Sequence, residues 1–242
     1  MDRYGPGWRN ILKDRELNRI AALGILAAIC AGTAPAGAQS GNQTGIQTGN
    51  QAGNTTFVAQ AQAQQPEALI KDFSDTLLTA MRDAKSLRFA GRRDLLQGKI
   101  SETYHLPVMA RIAVGAHWRK LSPEQQNRLV ADFSRLTIAT YANRFNDWSG
   151  ESFEMRGTEN VRDKTVLVRT AIIRPGKQAV EINYLMRQFE AGWKVIDIFL
   201  KESYSELATK RSEYSSILRR QGFEALIGQI GEKIAQYERS PD

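Results

Sequence analysis

Beyond Gly150 the apolar residues recur at every second position, and that period leaves few architectures open. Val166, Val168, Thr170 and Ile172 alternate with Leu167, Arg169, Ala171 and Ile173. "RPGK" at 174–177 is turn chemistry. Gln178 to Phe189 follows, with Val180, Ile182, Tyr184 and Met186 on one face, and "EAGW" turns the chain again. Residues 152–160 supply a further strand, and Trp193 to Leu200 completes a meander of about four antiparallel strands. In the last strand strict alternation places Trp193, Val195 and Phe199 on one face and Ile196, Ile198 and Leu200 on the other. Only Asp197 interrupts the apolar character. An antiparallel sheet commonly turns one face to water. A strand that is apolar on both faces therefore needs helices on both sides, or an interior space on one.

Helical periods flank the sheet on either side. Leu69, Phe73, Leu77 and Met81 set a stripe from Pro66 to Ala84, and Asp94 to Tyr104 carries a weaker one. Pro107 to Gly115 contributes a short apolar helix. "LSPEQQ" then starts another, with Ser122 as N-cap, Pro123 at the first position and Gln125 closing a capping box. That helix runs to about Phe145, with Leu129, Phe133, Leu136 and Tyr141 inward. After the last strand a basic helix spans Ser205 to Arg220. An amphipathic one spans Phe223 to Tyr237, with Leu226, Ile227, Ile230 and Ile234 on its stripe. Helices before and after an antiparallel sheet make the chain α+β, with N-terminal and C-terminal helices packed on about four strands.

The structured domain is expected at 66–240. Residues 1–38 read as an export signal: basic Arg9, Lys13, Arg15 and Arg19, an apolar run from Ile20 to Ala34, and Ala36 and Ala38 as an A-x-A cleavage site. Residues 39–65 repeat glycine at 41, 45, 49 and 53 among Asn, Gln and Thr, a flexible low-complexity linker too polar to offset its ordering entropy. Cleavage after Ala38 removes Cys30, the one cysteine, so disulfides and thiol chemistry are not expected. It also lowers the net charge from +7 to +5, because residues 1–38 hold five basic and three acidic side chains. That balance suits anionic lipid surfaces, and solubility alone explains it as well. Nucleic acid is not expected as a partner of an exported chain without a nucleic-acid motif.

Catalytic groups are sparse. His105 and His117 are the two histidines, twelve residues apart and without ligand spacing, so no metal or cofactor site is expected. Asp197 is the carboxylate of most interest. A buried acid there is either a base with a raised pKa or a group that pairs with arginine or caps backbone amides. An exported pocket enzyme acting on a lipid through Asp197 and His105 stands as one alternative, and an interaction module with a solid core as another.

"GAHWRKLSPEQQNRLVADFSRLTIATYANRF" (115–145) and "GWKVIDIFLKESYSELATKRSEYSSILRRQGFEALIGQI" (192–230) resemble the helical signature and the strand-plus-two-helix ending of the MlaC-type periplasmic lipid-binding proteins, the toluene-tolerance family. "YHLPVMARIAVG" and "SELATKRSEYSSILRR" are more similar to its hopanoid-biosynthesis-associated branch. The resemblance implies a non-enzymatic periplasmic carrier. It would shuttle a hopanoid or phospholipid between an inner-membrane MCE/ABC- or RND-type transporter and the outer membrane, touching membrane surfaces transiently. A lipid pocket between sheet and helices would then take one wall from Val166, Val168, Ile182, Tyr184, Ile196, Ile198 and Leu200. Val108, Met109, Ile112, Leu136 and Tyr141 would supply another. Lys201, Lys210, Arg211, Arg219 and Arg220 would meet head groups or a partner.

Overall fold

The computed structural model describes residues 65–200 and 204–239. The export signal at 1–38, nearly all of the 39–65 linker, and Lys201 lie outside the described residues. The chain enters through α1 (Pro66–Arg82), whose Leu69, Phe73, Leu77 and Met81 are all buried. Next come α2 (Ala84–Thr103), α3 (Leu106–Val114) and a short 3-10 turn at Gly115–Lys120. α4 (Pro123–Arg144) begins with the expected cap: the Ser122 hydroxyl accepts from the Gln125 N–H, and the Gln125 side chain accepts from the Ser122 N–H. Four long strands follow: β1 (Ser152–Arg162), β2 (Thr165–Arg174), β3 (Lys177–Phe189) and β4 (Gly192–Leu200). The two-residue β5 (Tyr204–Ser205) adds a fifth before α5 (Glu206–Arg220) and α6 (Phe223–Arg239). The sheet is an antiparallel meander in the order β1-β2-β3-β4-β5.

α2 begins ten residues earlier than the sequence pattern suggests, and Arg92 shows why. Its side chain is 2% exposed. The guanidinium donates from Nε to the Ala142 carbonyl at 2.8 Å and from Nη1 to the Ala84 carbonyl at 3.0 Å. A buried arginine that serves helix carbonyls leaves a gap in any apolar stripe. Arg88, at φ 52, also interrupts the helical period.

The meander keeps its alternation in β2 and β3 and loses it in β4. Val166, Val168 and Thr170 pair with Met186, Tyr184 and Ile182. Tyr184 and Ile182 pair in turn with Ile198 and Leu200. The register then shifts: Leu185 faces Asp197, while Met186 faces Val195. Ile196 is the extra residue of this bulge. The bulge brings Val195 to the helix-packed face with Ile198 and Leu200, and Ile196 is buried outside the main core cluster. The strict alternation read from the sequence therefore fails at this one step. Along its open edge β4 pairs with β5 at Phe199 and Leu200. The backbone just ahead of α3 covers it at Val195, where His105 N–H donates to the Val195 carbonyl at 2.9 Å.

Helices α1, α2, α3 and α5 pack directly on the sheet, and an aromatic knot ties the two layers together. The Phe73 ring meets Tyr104, Tyr141 and Tyr184 edge-on, with centroids 5.3, 5.5 and 6.2 Å away. The Tyr104 and Tyr141 hydroxyls satisfy each other at 2.6 Å, and burial pushes both phenols above their ordinary pKa. α6 packs on α4 and α5 and reaches the core through them.

Candidate functional site: a cavity between the closing helices

The space that the doubly apolar strand calls for lies mostly among helices. A cavity of about 380 Å³ opens between α4, α5 and α6, with Met109 of α3 and Ile198 of β4 at its inner end. Its apolar wall comprises Phe133, Leu136 and Tyr141 of α4, Leu207 and Ile217 of α5, and Leu226 and Ile230 of α6. That volume falls at the low end of small-molecule sites, about 300–1,000 Å³.

The twelve residues assigned to walls by sequence divide three ways. Met109, Leu136, Tyr141 and Ile198 line the cavity. Val166, Val168, Ile182, Tyr184 and Leu200 are packed in the core between sheet and helices and do not reach it. Ile196 goes to the bulge, Val108 is half-buried away from the cavity, and Ile112 is 36% exposed on α3. The sheet thus contributes one side chain rather than a wall. The alternation told which strand residues are buried. It does not distinguish burial against helix from burial against empty space.

Thr137 and Thr140 were missed as lining residues. Their hydroxyls bond back to the Phe133 and Leu136 carbonyls at 2.8 and 2.7 Å, which leaves their methyl groups to face the cavity. The α6 stripe is legible in the sequence as an amphipathic face, with no part in the pocket assigned to it. Its Leu226 and Ile230 lie on the face that meets the cavity because α6 packs on α4 and α5 rather than on the sheet.

A charged cluster shares the cavity with these apolar groups. Arg144 at the end of α4, Glu206 at the start of α5 and Lys210 one turn later all line it, with Glu213, Lys233 and Tyr237 beside them. Burial pushes the Glu206 carboxyl up to about 7, against the pull of Lys210 and Arg144. Burial likewise lowers Lys210 and Arg144 from their ordinary values. Among the described residues, Arg144 Nη1 and the Tyr214 hydroxyl are buried without a hydrogen-bond partner. Buried donors of that kind cost stability unless something satisfies them. Of the five cations assigned to head-group or partner contact, Lys210 alone lies in the cavity. Arg211 and Arg219 border a separate shallow depression, Arg220 is exposed at the end of α5, and Lys201 is outside the described residues.

Asp197 and His105 have structural partners. One Asp197 oxygen accepts from the Ile198 N–H at 2.8 Å and the Leu207 N–H at 3.2 Å, and the other accepts from the Ser205 hydroxyl at 2.6 Å. The carboxylate thus joins β4 to the first turn of α5, where Ser205 is itself the N-cap. Burial raises the Asp197 pKa, and these three bonds oppose the shift. His105 Nδ1 accepts from the Val108 N–H at 3.3 Å as the cap of α3, and its ring lies 4.4 Å from Phe189. Asp197→Ala is expected to destabilise the protein by about 1–2 kcal/mol, as for a lost helix cap. Asp197→Asn should keep both backbone bonds and stay within about 0.5 kcal/mol of the parent. Urea denaturation of the two variants checks this.

Residues 71–232 match the MlaC protein family, more than half of the chain. The chain belongs to the MlaC family. The matched span starts within α1 and ends within α6, so it takes in every lining residue of the cavity except Lys233 and Tyr237. Among solved structures, this MlaC chain is similar to a phospholipid-binding protein from Ralstonia solanacearum, in complex with a phospholipid. The two are 25% identical with a TM-score of 0.63, and the match covers 74% of this chain and 100% of that one. The similarity confirms the α+β architecture of helices on an antiparallel sheet.

Proposed function

We propose that this MlaC protein is a lipid carrier that encloses acyl chains, or the apolar body of a hopanoid, in the cavity between α4, α5 and α6. The single observation that supports this reading best is that cavity: an apolar wall from three helices with a charged cluster, in a chain whose fold is that of a protein solved with a phospholipid. The energetics require enclosure. Each methylene moved from water into an apolar site is worth about 0.8 kcal/mol, so some thirty of them would cost on the order of 20 kcal/mol to expose in transit. An exposed apolar patch cannot offset such a sum, whereas a closed pocket can.

In this reading the tails contact Leu136, Ile198, Ile217 and Ile230. The polar head lies against Arg144, Lys210 and Lys233, and the unpartnered Arg144 Nη1 gains its missing acceptor. The protein is exported by its first 38 residues, works in the periplasm and exchanges lipid with inner-membrane machinery of MCE/ABC or RND type. The 39–65 tract acts as a tether. The "YHLPVMARIAVG" stretch favours a hopanoid as cargo over a two-chain phospholipid. No enzymatic step is assigned, since Asp197 and His105 are engaged in capping.

A transfer assay tests the carrier role. Donor vesicles holding a labelled lipid are mixed with unlabelled acceptor vesicles. Catalytic amounts of protein should raise the transfer rate in proportion to protein concentration. No acceleration with either phospholipid or hopanoid cargo would exclude the carrier reading.

A further inference from the structure

We propose that the face of α5 turned away from the cavity is a second binding surface, built for the phosphate groups of anionic lipids at a bilayer surface. α5 divides its residues between two sites. Glu206, Lys210, Tyr214 and Ile217 look into the lipid cavity. Ala208, Arg211, Ser212, Ser215 and Arg219, at the i, i+3, i+4, i+7 spacing of one helical face, border a shallow depression closed by Ala116 and His117 of the 3-10 turn. Two guanidiniums, two hydroxyls and an imidazole thus converge on one concave surface.

Three further observations point to an anion there. First, among the described residues Arg211 and Arg219 make no ion pair, whereas cations elsewhere, such as Arg128, Arg156 and Arg169, are paired with glutamates. Second, the surrounding cations Arg111, Arg119, Lys120 and Arg220 are exposed and equally without ion pairs among the described residues, while Glu213, the exposed carboxylate on the same helix, lines the cavity instead. Third, the Arg211 head group is held against backbone. Gly115 adopts φ +55, and a Cβ there would come within 2.6 Å of Arg211 Nε. A side chain at position 115 would displace that guanidinium, so this glycine admits the arginine.

A bilayer fits this surface better than a single small anion. The unpaired cations extend well beyond the depression on both the 3-10 turn and the end of α5, and Ile112, 36% exposed, stands on neighbouring α3. A cation held near an anionic membrane strengthens binding about fivefold. Docking by this face would hold the opposite face of the same helix, and with it the cavity, at a fixed distance from the membrane. That purpose rests on the lipid-carrier reading; the docking itself does not.

The test is flotation of the protein (residues 39–242) with vesicles of phosphatidylcholine alone and of phosphatidylcholine mixed with phosphatidylglycerol. The parent should bind the mixed vesicles, release at high salt and ignore the neutral ones. Arg211→Glu combined with Arg219→Glu should weaken binding by at least 50-fold, while native mass spectrometry shows its bound lipid unchanged. Arg211→Gln with Arg219→Gln should weaken it by about 25-fold and serves if the double reversal does not fold. Equal binding by parent and variants, or equal binding to neutral and anionic vesicles, would overturn the proposal. So would competition by inorganic phosphate without any vesicle binding, which would assign the depression to free phosphate. A parent that carries no bound lipid yet binds the anionic vesicles would count against the carrier reading alone.

Discussion

Thr140→Trp is expected to abolish lipid loading and leave the protein folded. Thr140 sits at mid-wall of the cavity, half-buried, with its hydroxyl already spent on the Leu136 carbonyl. An indole there projects into a space of about 380 Å³ and takes the room that acyl chains or a hopanoid ring system would occupy. No core side chain is removed, and the helix loses only a local back-bond, so the change in stability should stay within about 1 kcal/mol. Affinity for a fluorescent fatty-acyl probe should fall by about 100-fold or more, since a few excluded methylenes at about 0.8 kcal/mol each suffice for that. Val168→Trp is the contrasting variant. Val168 is fully buried in the sheet core and does not line the cavity, so overpacking there should lower stability by about 1–3 kcal/mol. Equal probe binding by Thr140→Trp and the parent would place the lipid elsewhere.

Glu206→Gln should make the protein more stable, by an amount that grows as pH rises from about 4.5 to about 7 and levels off above that. Burial raises the folded-state pKa of Glu206 from the usual 4.5 to about 7. The folded protein therefore holds this proton more tightly than the unfolded chain does. The stability linked to it is fully present below about pH 4.5 and is lost as pH rises through about 7. At about 1.4 kcal/mol per unit, the parent forfeits on the order of 3 kcal/mol by pH 8.5. The attraction of Lys210 and Arg144 for the ionised carboxylate already offsets part of the burial cost. Glutamine keeps the shape and has no charge to bury. Thermal melts should show parent and variant together at pH 4.5 and the variant higher by roughly 8 °C at pH 8.5. A gap independent of pH would mean that Glu206 is charged at all these values.

The sequence made the sheet legible because alternation and turn chemistry act locally. The strands between Thr165 and Leu200, and the capping box at Ser122, were readable to within a residue or two. Two features were hidden because they depend on distant partners. Arg92 looks like a solvent-facing charge until Ala84 and Ala142 carbonyls surround it. The Ile196 bulge depends on the Leu185 and Met186 pairings across the sheet, and nothing within "WKVIDIFL" announces it. The cavity was half legible for a related reason. Hydrophobicity marks Ile198, Val168 and Tyr184 alike, and only the three-dimensional path of α6 decides that Ile198 meets the cavity while the other two meet protein. Glu206 and Arg144 were unreadable as a pair because 62 positions separate them. Asp197 was read correctly in one of its two alternatives, the capping of backbone amides.

The central claim is that the helical cavity holds a lipid, and native mass spectrometry of the protein taken from its periplasm without refolding tests it most directly. The account predicts a protein peak carrying a discrete added mass, which solvent extraction identifies as a hopanoid or a phospholipid, and no such mass on Thr140→Trp prepared in parallel. A parent that carries no lipid even after incubation with vesicles, or a Thr140→Trp protein that carries as much as the parent, would contradict it.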